Sequence, residues 1–319
     1  MNEASRPSQS PATEKAAVGV WSPALTPFDD DLNPDATRFL SHARWLLDNG
    51  CHGLAVFGTT SEATSLTAQE RKQLLEVLLA DGVDPARLMV GTGCCAFPDS
   101  VDLTRHALAN GCNKVLMLPP FYYKGVSDQG LIDSYSRIIE QVGDANLRIF
   151  FYHFPALSGV PITAGVIETL AAAYPGIIAG LKDSGGDADH TADLIGRFPD
   201  LAIFPGAETN LHAMLELGGA GCITASANVN ASAIRALWES WQAQDGEAEQ
   251  RQEHVRAIRK TIETEAMVPA LKAVAAHYRD DDAWARVRPP LVSLAPDAAT
   301  GLVAKLANNG FEFPDGADR

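Results

Sequence analysis

The residues of this sequence best suited to covalent chemistry lie in residues 177–184, where a short apolar run ends in Lys182. Pro175-Gly176 precedes the run and Gly185-Gly186 follows it, which is typical of a buried strand. A lysine ammonium at an apolar core is costly unless it is paired, neutralised or used in catalysis. The structural alternative is a strand-end lysine that reaches past the apolar surface to water. The pattern marks Lys182 as a candidate nucleophile.

Tyr152 is the second residue suited to such chemistry, because it closes the predicted strand that directly precedes the strand of Lys182. In a low-dielectric site a lysine is more readily neutral, and a neutral amine attacks a ketone to form an imine. The resulting iminium accepts electrons from a neighbouring C–C bond, while a phenol within reach moves the protons. The structural alternative is a strand-end tyrosine whose ring is simply buried.

Two hydroxyl groups that could hold a carboxylate follow an earlier predicted strand, in the turn Gly58-Thr59-Thr60. Their hydroxyls and backbone N–H groups can bind a carboxylate without a full positive charge. Such a turn is common and is a weak signal alone. Together with Lys182 and Tyr152, it favours amine catalysis.

A unit of strand, polar loop and amphipathic helix recurs eight times along the chain. The predicted strands are residues 18–24, 53–57, 88–91, 114–118, 148–152, 177–182, 202–205 and 221–225. Eight consecutive units predict the α/β class and a closed (β/α)8 TIM barrel. An open doubly wound sheet is the alternative, but it usually has fewer strands, and no glycine-rich phosphate motif follows the first strand here.

The predicted helices divide the chain into three regions. The helices of the barrel are expected at residues 34–49, from residue 67, and at 99–110, 127–142, 163–174, 187–197, 208–217 and 232–242. Thr67 and Glu70 have the spacing of a capping box. Residues 1–16 read as a disordered tail and 17–245 as the barrel. Residues 246–319 read as a C-terminal helical extension, with helices at 249–264, 267–278 and 298–308.

Composition excludes several classes of protein. The 319 residues carry a formal net charge of -15, which argues against a nucleic-acid or anionic-membrane binder. No apolar run approaches a membrane span, and the amino-terminal residues resemble no signal peptide, so we predict a cytoplasmic protein. The five cysteines lack CxxC spacing and suit buried thiols, although Cys94-Cys95 could include a reactive one. The eight histidines lack metal-ligand spacing such as HxxxH, which disfavours a metal-dependent aldolase.

In a barrel, the site lies at the carboxyl ends of the strands. The residues there with suitable chemistry are Lys182, Tyr152, Thr59, Thr60, Tyr122, Ser184, Gly206, Glu208 and Ser226. We expect them to share one face of the molecule, where they would meet a small-molecule substrate.

Three motifs in this order resemble a known family: residues 58–62, 152–159 and 180–184. They are similar to the dihydrodipicolinate synthase / N-acetylneuraminate lyase family, and the resemblance covers nearly the whole chain except the tail. It implies a barrel with C-terminal helices and a class I, Schiff-base mechanism with pyruvate as substrate or product. It also implies no metal or other cofactor, and a homotetramer.

The resemblance implies a role for each matching residue. Lys182 matches the Schiff-base lysine and Tyr152 the proton-shuttling tyrosine. Thr59 and Thr60 match the pair that binds the pyruvate carboxylate, with Thr60 also relaying protons to Tyr152. Tyr122 matches a tyrosine that reaches into the neighbouring subunit's site in some members, with simple packing at an interface as its alternative.

Departures from the family pattern bear on the substrate. Leu157 stands where dihydrodipicolinate synthases carry an arginine for the carboxylate of the second substrate. Glu208-Thr209 and Ala225 replace an Asp-Glu pair and a serine of sialic acid lyases. Residues 182–184 and 223–228 look closest to 2-keto-3-deoxygluconate aldolases, so Ser184, Glu208 and Ser226 become candidates for holding a hydroxylated tail. Ser61 replaces a glycine, which would be strained if its backbone were left-handed.

We therefore predict a carbon–carbon lyase that cleaves or forms a 2-oxo-3-deoxy acid, with pyruvate and an aldehyde as partners. Dihydrodipicolinate synthase and N-acetylneuraminate lyase activities are alternatives, as is a Schiff-base dehydratase of 2-oxo sugar acids. A pyruvate-binding regulatory barrel that has lost catalysis is the non-enzyme alternative.

Overall fold

Eight parallel strands form a nearly closed barrel in the computed structural model, which describes residues 15–314. The strands are β1 (Gly19–Ser22), β2 (Gly53–Val56), β3 (Leu88–Gly91), β4 (Lys114–Met117), β5 (Arg148–His153), β6 (Ile178–Asp183), β7 (Ala202–Pro205) and β8 (Gly221–Ile223). Their order is β7-β6-β5-β4-β3-β2-β1-β8. Between β7 and β8, the backbone N–H of Ala220 donates to the carbonyl of Ile203 at 2.9 Å. The predicted (β/α)8 barrel is confirmed.

Helices follow the strands and then continue beyond the barrel. They are α1 (Ala36–Asp48), α2 (Ala68–Ala80), α3 (Phe97–Ala109), α4 (Asp128–Val142), α5 (Pro155–Ser158), α6 (Ala164–Ala173), α7 (Ala188–Arg197), α8 (Leu211–Glu216), α9 (Ala227–Ala243), α10 (Ala248–Ile262), α11 (Met267–Arg279) and α12 (Pro296–Asn308). The last three form the predicted C-terminal helical region. Most of the predicted tail, residues 1–14, lies outside the described residues.

The capping box predicted at α2 is confirmed. The Thr67 hydroxyl accepts the backbone N–H of Glu70 at 3.1 Å, and the Glu70 carboxylate accepts the backbone N–H of Thr67 at 2.7 Å. Two donors that the first helical turn leaves unpaired are thereby satisfied.

The helix predicted from residue 232 corresponds to the part of α9 that follows a kink at Asn230, and the turn from Ala227 to this kink was not predicted. The local sequence favours a polar loop, and the helix has non-helical dihedral angles at Asn230. The Asn228 side chain accepts the backbone N–H of Leu25 at 2.9 Å and donates to Pro23 and Ala225 carbonyls. These contacts with the loop after β1 are long-range, so local sequence gave no sign of them. The short helix α5 was also missed.

The interior of the barrel is filled from alternating strand positions, as the two-residue period of a strand requires. Trp21, Ala55, Met89, Leu116 and Phe150 belong to this inner cluster. The alternate strand residues face outward and pack under the helices. The C-terminal helices add a further apolar cluster, and this fixes the start of α11 beside the mouth of the barrel.

Within residues 15–314, no helix combines the length and the apolar character needed to cross a bilayer. All five cysteines are free thiols: Cys51, Cys112 and Cys222 are buried, while Cys94 is half-buried and Cys95 exposed. Burial raises the pKa of Cys94, which lowers its thiolate fraction and argues against a reactive thiol there.

Candidate active site

Lys182, Tyr152 and Thr59 form a continuous chain of contacts at the carboxyl ends of their strands. The Lys182 Nζ donates to the Tyr152 hydroxyl at 3.3 Å, and that hydroxyl donates to the Thr59 Oγ1 at 3.2 Å. Lys182 is 4% exposed and Tyr152 is 3% exposed. The ammonium also lies 4.3 Å from the centre of the Tyr152 ring. An amine and a phenol within reach of one another, away from bulk water, can exchange protons.

Strand register brings this pair together. Tyr152 on β5 is the direct partner of Lys182 on β6, and Lys182 is in turn the partner of Phe204 on β7. Partners in a parallel sheet point to the same face, here the inside of the barrel. Gly180 lies two residues before Lys182 on that face. A Cβ at Gly180 would lie 2.2 Å from the Ala202 carbonyl oxygen and 2.8 Å from the Phe150 ring, so a glycine at this position makes room for the Phe150 ring.

A cavity of about 700 Å³ opens above the reactive groups. A cavity of this size suits a ligand much larger than pyruvate. The predicted site residues that line it are Lys182, Tyr152, Thr59, Thr60, Ser184 and Gly206. The structure thus places six of the nine candidates around one space.

Glu208 and Ser226 do not line this cavity. Both side chains are fully buried, and the Glu208 carboxylate accepts hydrogen bonds from Thr224 at 2.5 Å and from the Ser226 hydroxyl. Arg259 lies 3.7 Å from the same carboxylate. Because Glu208 is satisfied inside the protein, the structure removes the basis for predicting that it or Ser226 holds a substrate tail.

Tyr122 also lies outside the cavity wall. It is 75% exposed, and its ring packs edge-on against Tyr123 at a centroid distance of 5.5 Å. In a single chain it reaches none of the reactive groups by a described contact, so its catalytic role stays a prediction that depends on a neighbouring subunit.

The two threonines of the turn occupy different positions. Both line the cavity, but the described contact with the Tyr152 hydroxyl belongs to Thr59, and Thr60 is 6% exposed. The relay was predicted for Thr60, and the contact in this structure belongs to Thr59 instead.

This difference gives a testable prediction. Thr59→Val removes the oxygen that accepts the hydrogen bond of the Tyr152 hydroxyl. Loss of one hydrogen bond corresponds to about a factor of ten, so we expect kcat for pyruvate release to fall about tenfold. Thr60→Val keeps that acceptor and is the matched control. We expect it to raise KM with a smaller change in kcat. Steady-state kinetics of both variants decides the matter, and a larger kcat loss in Thr60→Val would return the relay to Thr60.

The residue after the threonines, Ser61, has an ordinary backbone, because the left-handed residue of this turn is Glu62 with φ of 56°. The backbone strain expected at Ser61 for a left-handed conformation is therefore absent. Its hydroxyl donates to the Ala24 carbonyl at 2.6 Å, and the Thr26 hydroxyl donates to the Ser61 carbonyl at 2.8 Å. These bonds tie the turn to the loop after β1.

Glu62 joins the same turn to the C-terminal helices through a buried ion pair. Its carboxylate lies 2.5 Å from Lys272 Nζ on α11, and neither side chain is exposed. Glu62 also accepts the backbone N–H of Arg288 at 2.9 Å, while Lys272 donates to the Arg286 carbonyl at 2.7 Å. Burial lowers the pKa of Lys272 to about 8, against the attraction of Glu62. From the sequence, Lys272 was predicted only to lie within the helix at residues 267–278.

A second buried carboxylate, Asp183, fixes the end of β6 from outside the barrel. Its Oδ2 accepts the Thr191 hydroxyl at 2.7 Å and lies 2.8 Å from His190 Nδ1, and its Oδ1 accepts the backbone N–H of Gly185 at 2.9 Å. Both Thr191 and His190 lie on α7. Because Asp183 directly follows Lys182, these bonds hold the strand end that positions the lysine.

His153, Asp183 and His190 are the described residues that could bring three metal-ligating side chains within 4.8 Å. The two imidazole rings are stacked, with centroids 4.9 Å apart and planes 28° from parallel. Ring nitrogens bind metals through in-plane lone pairs, which stacked rings do not direct to one point. His153 Nδ1 also accepts the backbone N–H of Ile162 at 3.1 Å. We interpret this group as a hydrogen-bonded cluster.

A buried lysine, a phenol and a hydroxyl meet at the mouth of a (β/α)8 barrel, and comparison with known proteins identifies the family of the chain. The model of the dihydrodipicolinate synthetase family matches residues 16–309. The chain belongs to this family of pyruvate-dependent carbon–carbon lyases.

The similarity to individual relatives covers most of the chain. An uncharacterized DapA-like lyase from Chloroflexus aurantiacus is 34% identical, covering 90% of this chain and 95% of its own. The crystal structure of dihydrodipicolinate synthase from Agrobacterium tumefaciens is similar with a TM-score of 0.84 and 32% identity, covering 91% and 99%. YagE, a prophage protein of the family from E. coli K12 in complex with pyruvate, has a TM-score of 0.84 and 26% identity, covering 92% and 99%.

Proposed function

We propose that this protein is a class I aldolase that cleaves a 2-oxo-3-deoxy acid to pyruvate and an aldehyde, or joins the two. The observation that carries the proposal is the buried contact between Lys182 and Tyr152 beneath a cavity of about 700 Å³. A lysine excluded from water with a proton donor beside it suits attack on a ketone. The pyruvate bound to YagE supports the choice of keto acid.

The proposed cleavage reaction begins and ends with the free Lys182 amine. The Lys182 amine adds to the C2 carbonyl, and the carbinolamine hydroxyl leaves as water with the Tyr152 proton, giving an iminium and a Tyr152 phenolate that can accept the next proton. Loss of the C4 hydroxyl proton to the Tyr152 oxygen breaks the C3–C4 bond, and the aldehyde departs while the electron pair moves into the enamine. Protonation of C3 restores an iminium, and water releases pyruvate and the amine. Addition of an aldehyde to pyruvate follows the same steps in reverse.

The hydroxyl groups of the cavity also have proposed roles in binding the substrate. Thr59 and Thr60 lie in the turn after β2, where their hydroxyls and backbone N–H groups suit the carboxylate of pyruvate. Thr59 Oγ1 also accepts a hydrogen bond from the Tyr152 hydroxyl at 3.2 Å, and this bond orients the phenol. Ser184 directly follows the end of β6, two residues after Lys182, and it lines the cavity. Its hydroxyl can therefore form a hydrogen bond with an oxygen of the substrate.

The finer choice of substrate rests on residues that differ from other family members. Leu157 lines the cavity and lacks the charge that a second carboxylate needs, which disfavours dihydrodipicolinate synthase activity. A 2-keto-3-deoxygluconate-like acid was the hypothesis from sequence. Of the residues expected to hold its polyol tail, only Ser184 lines the cavity, and Glu208 and Ser226 do not. We therefore keep the 2-oxo-3-deoxy acid and reconsider its tail below.

Pyruvate release is the direct test of this proposal. Purified protein is supplied with a panel of 4-hydroxy-2-oxo acids, and pyruvate is measured with coupled lactate dehydrogenase, with and without a chelator. We expect chelator-insensitive pyruvate release. Substrate loss without pyruvate would instead indicate a dehydratase, and pyruvate binding without turnover of any substrate would indicate a regulatory barrel.

The proposal also includes a homotetramer in the cytoplasm, with Tyr122 near a subunit boundary. The exposed, paired rings of Tyr122 and Tyr123 are compatible with such a contact. Both the assembly and the compartment stay predictions.

A further inference from the structure

We propose that the aldehyde used by this site carries a bulky apolar group, such as an aromatic ring, rather than a polyol chain. This inference rests on the proposed aldolase function, because it concerns the second substrate of the same cavity. It comes from the side chains that surround the space above Lys182, which differ between the floor and the mouth of the cavity.

Three of the hydroxyl groups that line the cavity belong to its floor. Ser184 directly follows β6, and Thr59 and Thr60 lie in the turn after β2, where Thr59 contacts the Tyr152 hydroxyl. All three therefore lie near the Lys182 end of the cavity. Pyruvate supplies a carboxylate and a ketone oxygen, so these hydroxyls match the polar end of the substrate. Thr64, Ser65, Thr209 and Asn210 add further polar groups to the cavity wall, and the remaining lining is mainly apolar.

Apolar groups form much of the mouth. Phe154 and Leu157 come from the segment after β5, Met267 and Val268 from the start of α11, and Leu291 from the loop after α11. Leu157 is 63% exposed and Leu291 is 36% exposed. Apolar side chains that converge on one open cavity mark a binding site for apolar surface, because a ligand covering them removes that surface from water.

Charged groups of the mouth are already paired with protein groups. Arg259 Nε lies 2.7 Å from Glu263, and its Nη1 donates to Thr224 at 3.1 Å. Asp187 caps the start of α7 by accepting the backbone N–H of Asp189 at 2.9 Å. A polyol would have to compete with these bonds, whereas an apolar group would not.

Leu157 is the residue best placed to select the apolar group. It lies on α5, immediately after the strand that carries Tyr152. The backbone N–H of Leu157 donates to the Phe154 carbonyl at 3.1 Å, and Lys124 Nζ donates to the neighbouring Ser158 carbonyl at 2.6 Å. The Phe154 ring lies 5.8 Å from the Tyr152 ring, which makes the apolar wall continuous with the reactive centre. These bonds fix the backbone of the segment that carries Leu157.

The test compares two aldehydes in addition to pyruvate, benzaldehyde and D-glyceraldehyde, with product quantified by liquid chromatography and mass spectrometry. We expect kcat/KM for benzaldehyde to exceed that for D-glyceraldehyde at least about tenfold. Leu157→Ser should lower the benzaldehyde value about tenfold and leave KM for pyruvate unchanged. Met267→Ser should act in the same direction. Leu217→Ser alters an exposed leucine that does not line the cavity and should change neither value.

A preference for D-glyceraldehyde, or an equal loss with both aldehydes in Leu157→Ser, would overturn the inference. Trapping with pyruvate and borohydride needs no aldehyde, so it tests the aldolase proposal separately from the aldehyde preference. A pyruvate adduct together with a polyol preference leaves the aldolase proposal standing and removes only this inference. No adduct overturns both.

Discussion

Lys182→Ala is expected to abolish pyruvate release, with kcat at least about 10⁴-fold below that of the unmodified protein. Without the amine there is no iminium to accept the electron pair of the C3–C4 bond, and no other lysine lines the cavity among the described residues. Coupled pyruvate release, measured at saturating substrate, gives the effect directly.

The matched control is Lys114→Ala. Lys114 is also a strand lysine, but it begins β4 at the opposite end of the barrel, where its Nζ donates to the Ala86 carbonyl at 3.0 Å. We expect near-normal kcat for this variant. Wild-type turnover in a folded Lys182→Ala protein, checked by circular dichroism, would contradict the mechanism.

Glu62→Gln is expected to cost about 3–5 kcal/mol of unfolding free energy, because it leaves the buried Lys272 ammonium without its counter-charge. Lys272→Met should be similarly damaging, since it leaves the Glu62 carboxylate buried. The backbone N–H of Glu62 donates to the Thr59 carbonyl at 3.0 Å, so a shift of Glu62 also moves the turn that we propose binds the carboxylate. We expect KM for the keto acid to rise in both variants.

Urea unfolding of each single variant and of Glu62→Gln/Lys272→Met measures this pair. We expect the double variant to be more stable than the summed single effects by about 1–3 kcal/mol, because it leaves neither charge buried alone. Asp102→Asn, which breaks the partly exposed ion pair with Lys72 at 2.6 Å, should cost less than about 1 kcal/mol. Additive losses in the double variant would show that the two charges do not depend on each other.

The barrel could be predicted from sequence because its signals are local. Each strand is a short apolar run, and several helices begin with a capping side chain, as Thr67 of α2 and Ser127 of α4 illustrate. The start of α9 could not be predicted in this way, because the Asn228 amide bonds to a loop some two hundred residues earlier in the chain. Such contacts exist only once β1 and β8 have paired.

The reactive pair was also predictable, because Lys182 and Tyr152 end consecutive strands and the barrel turns that order into proximity. Glu208 illustrates the limit of the same rule. It too follows a strand, but its side chain turns inward to Thr224 and Arg259. A position at a strand end therefore indicates the region of a side chain and leaves its direction undetermined.

Lys272 was overlooked, although the sequence does contain a signal for it. Residues 267–276 are apolar at every position except Lys272. A lysine in a helix that is apolar all round must be buried, and a buried ammonium needs an acidic partner. The identity of that partner, Glu62, depends on how the C-terminal helices pack on the barrel, which no local pattern specifies.

Covalent trapping tests the central claim most directly. The protein is incubated with pyruvate and sodium borohydride, and the intact mass and the modified peptide are then determined by mass spectrometry. The account predicts one carboxyethyl group per chain, attached to Lys182, and no adduct in Lys182→Ala. An unchanged intact mass, or an adduct on a different lysine, would contradict it.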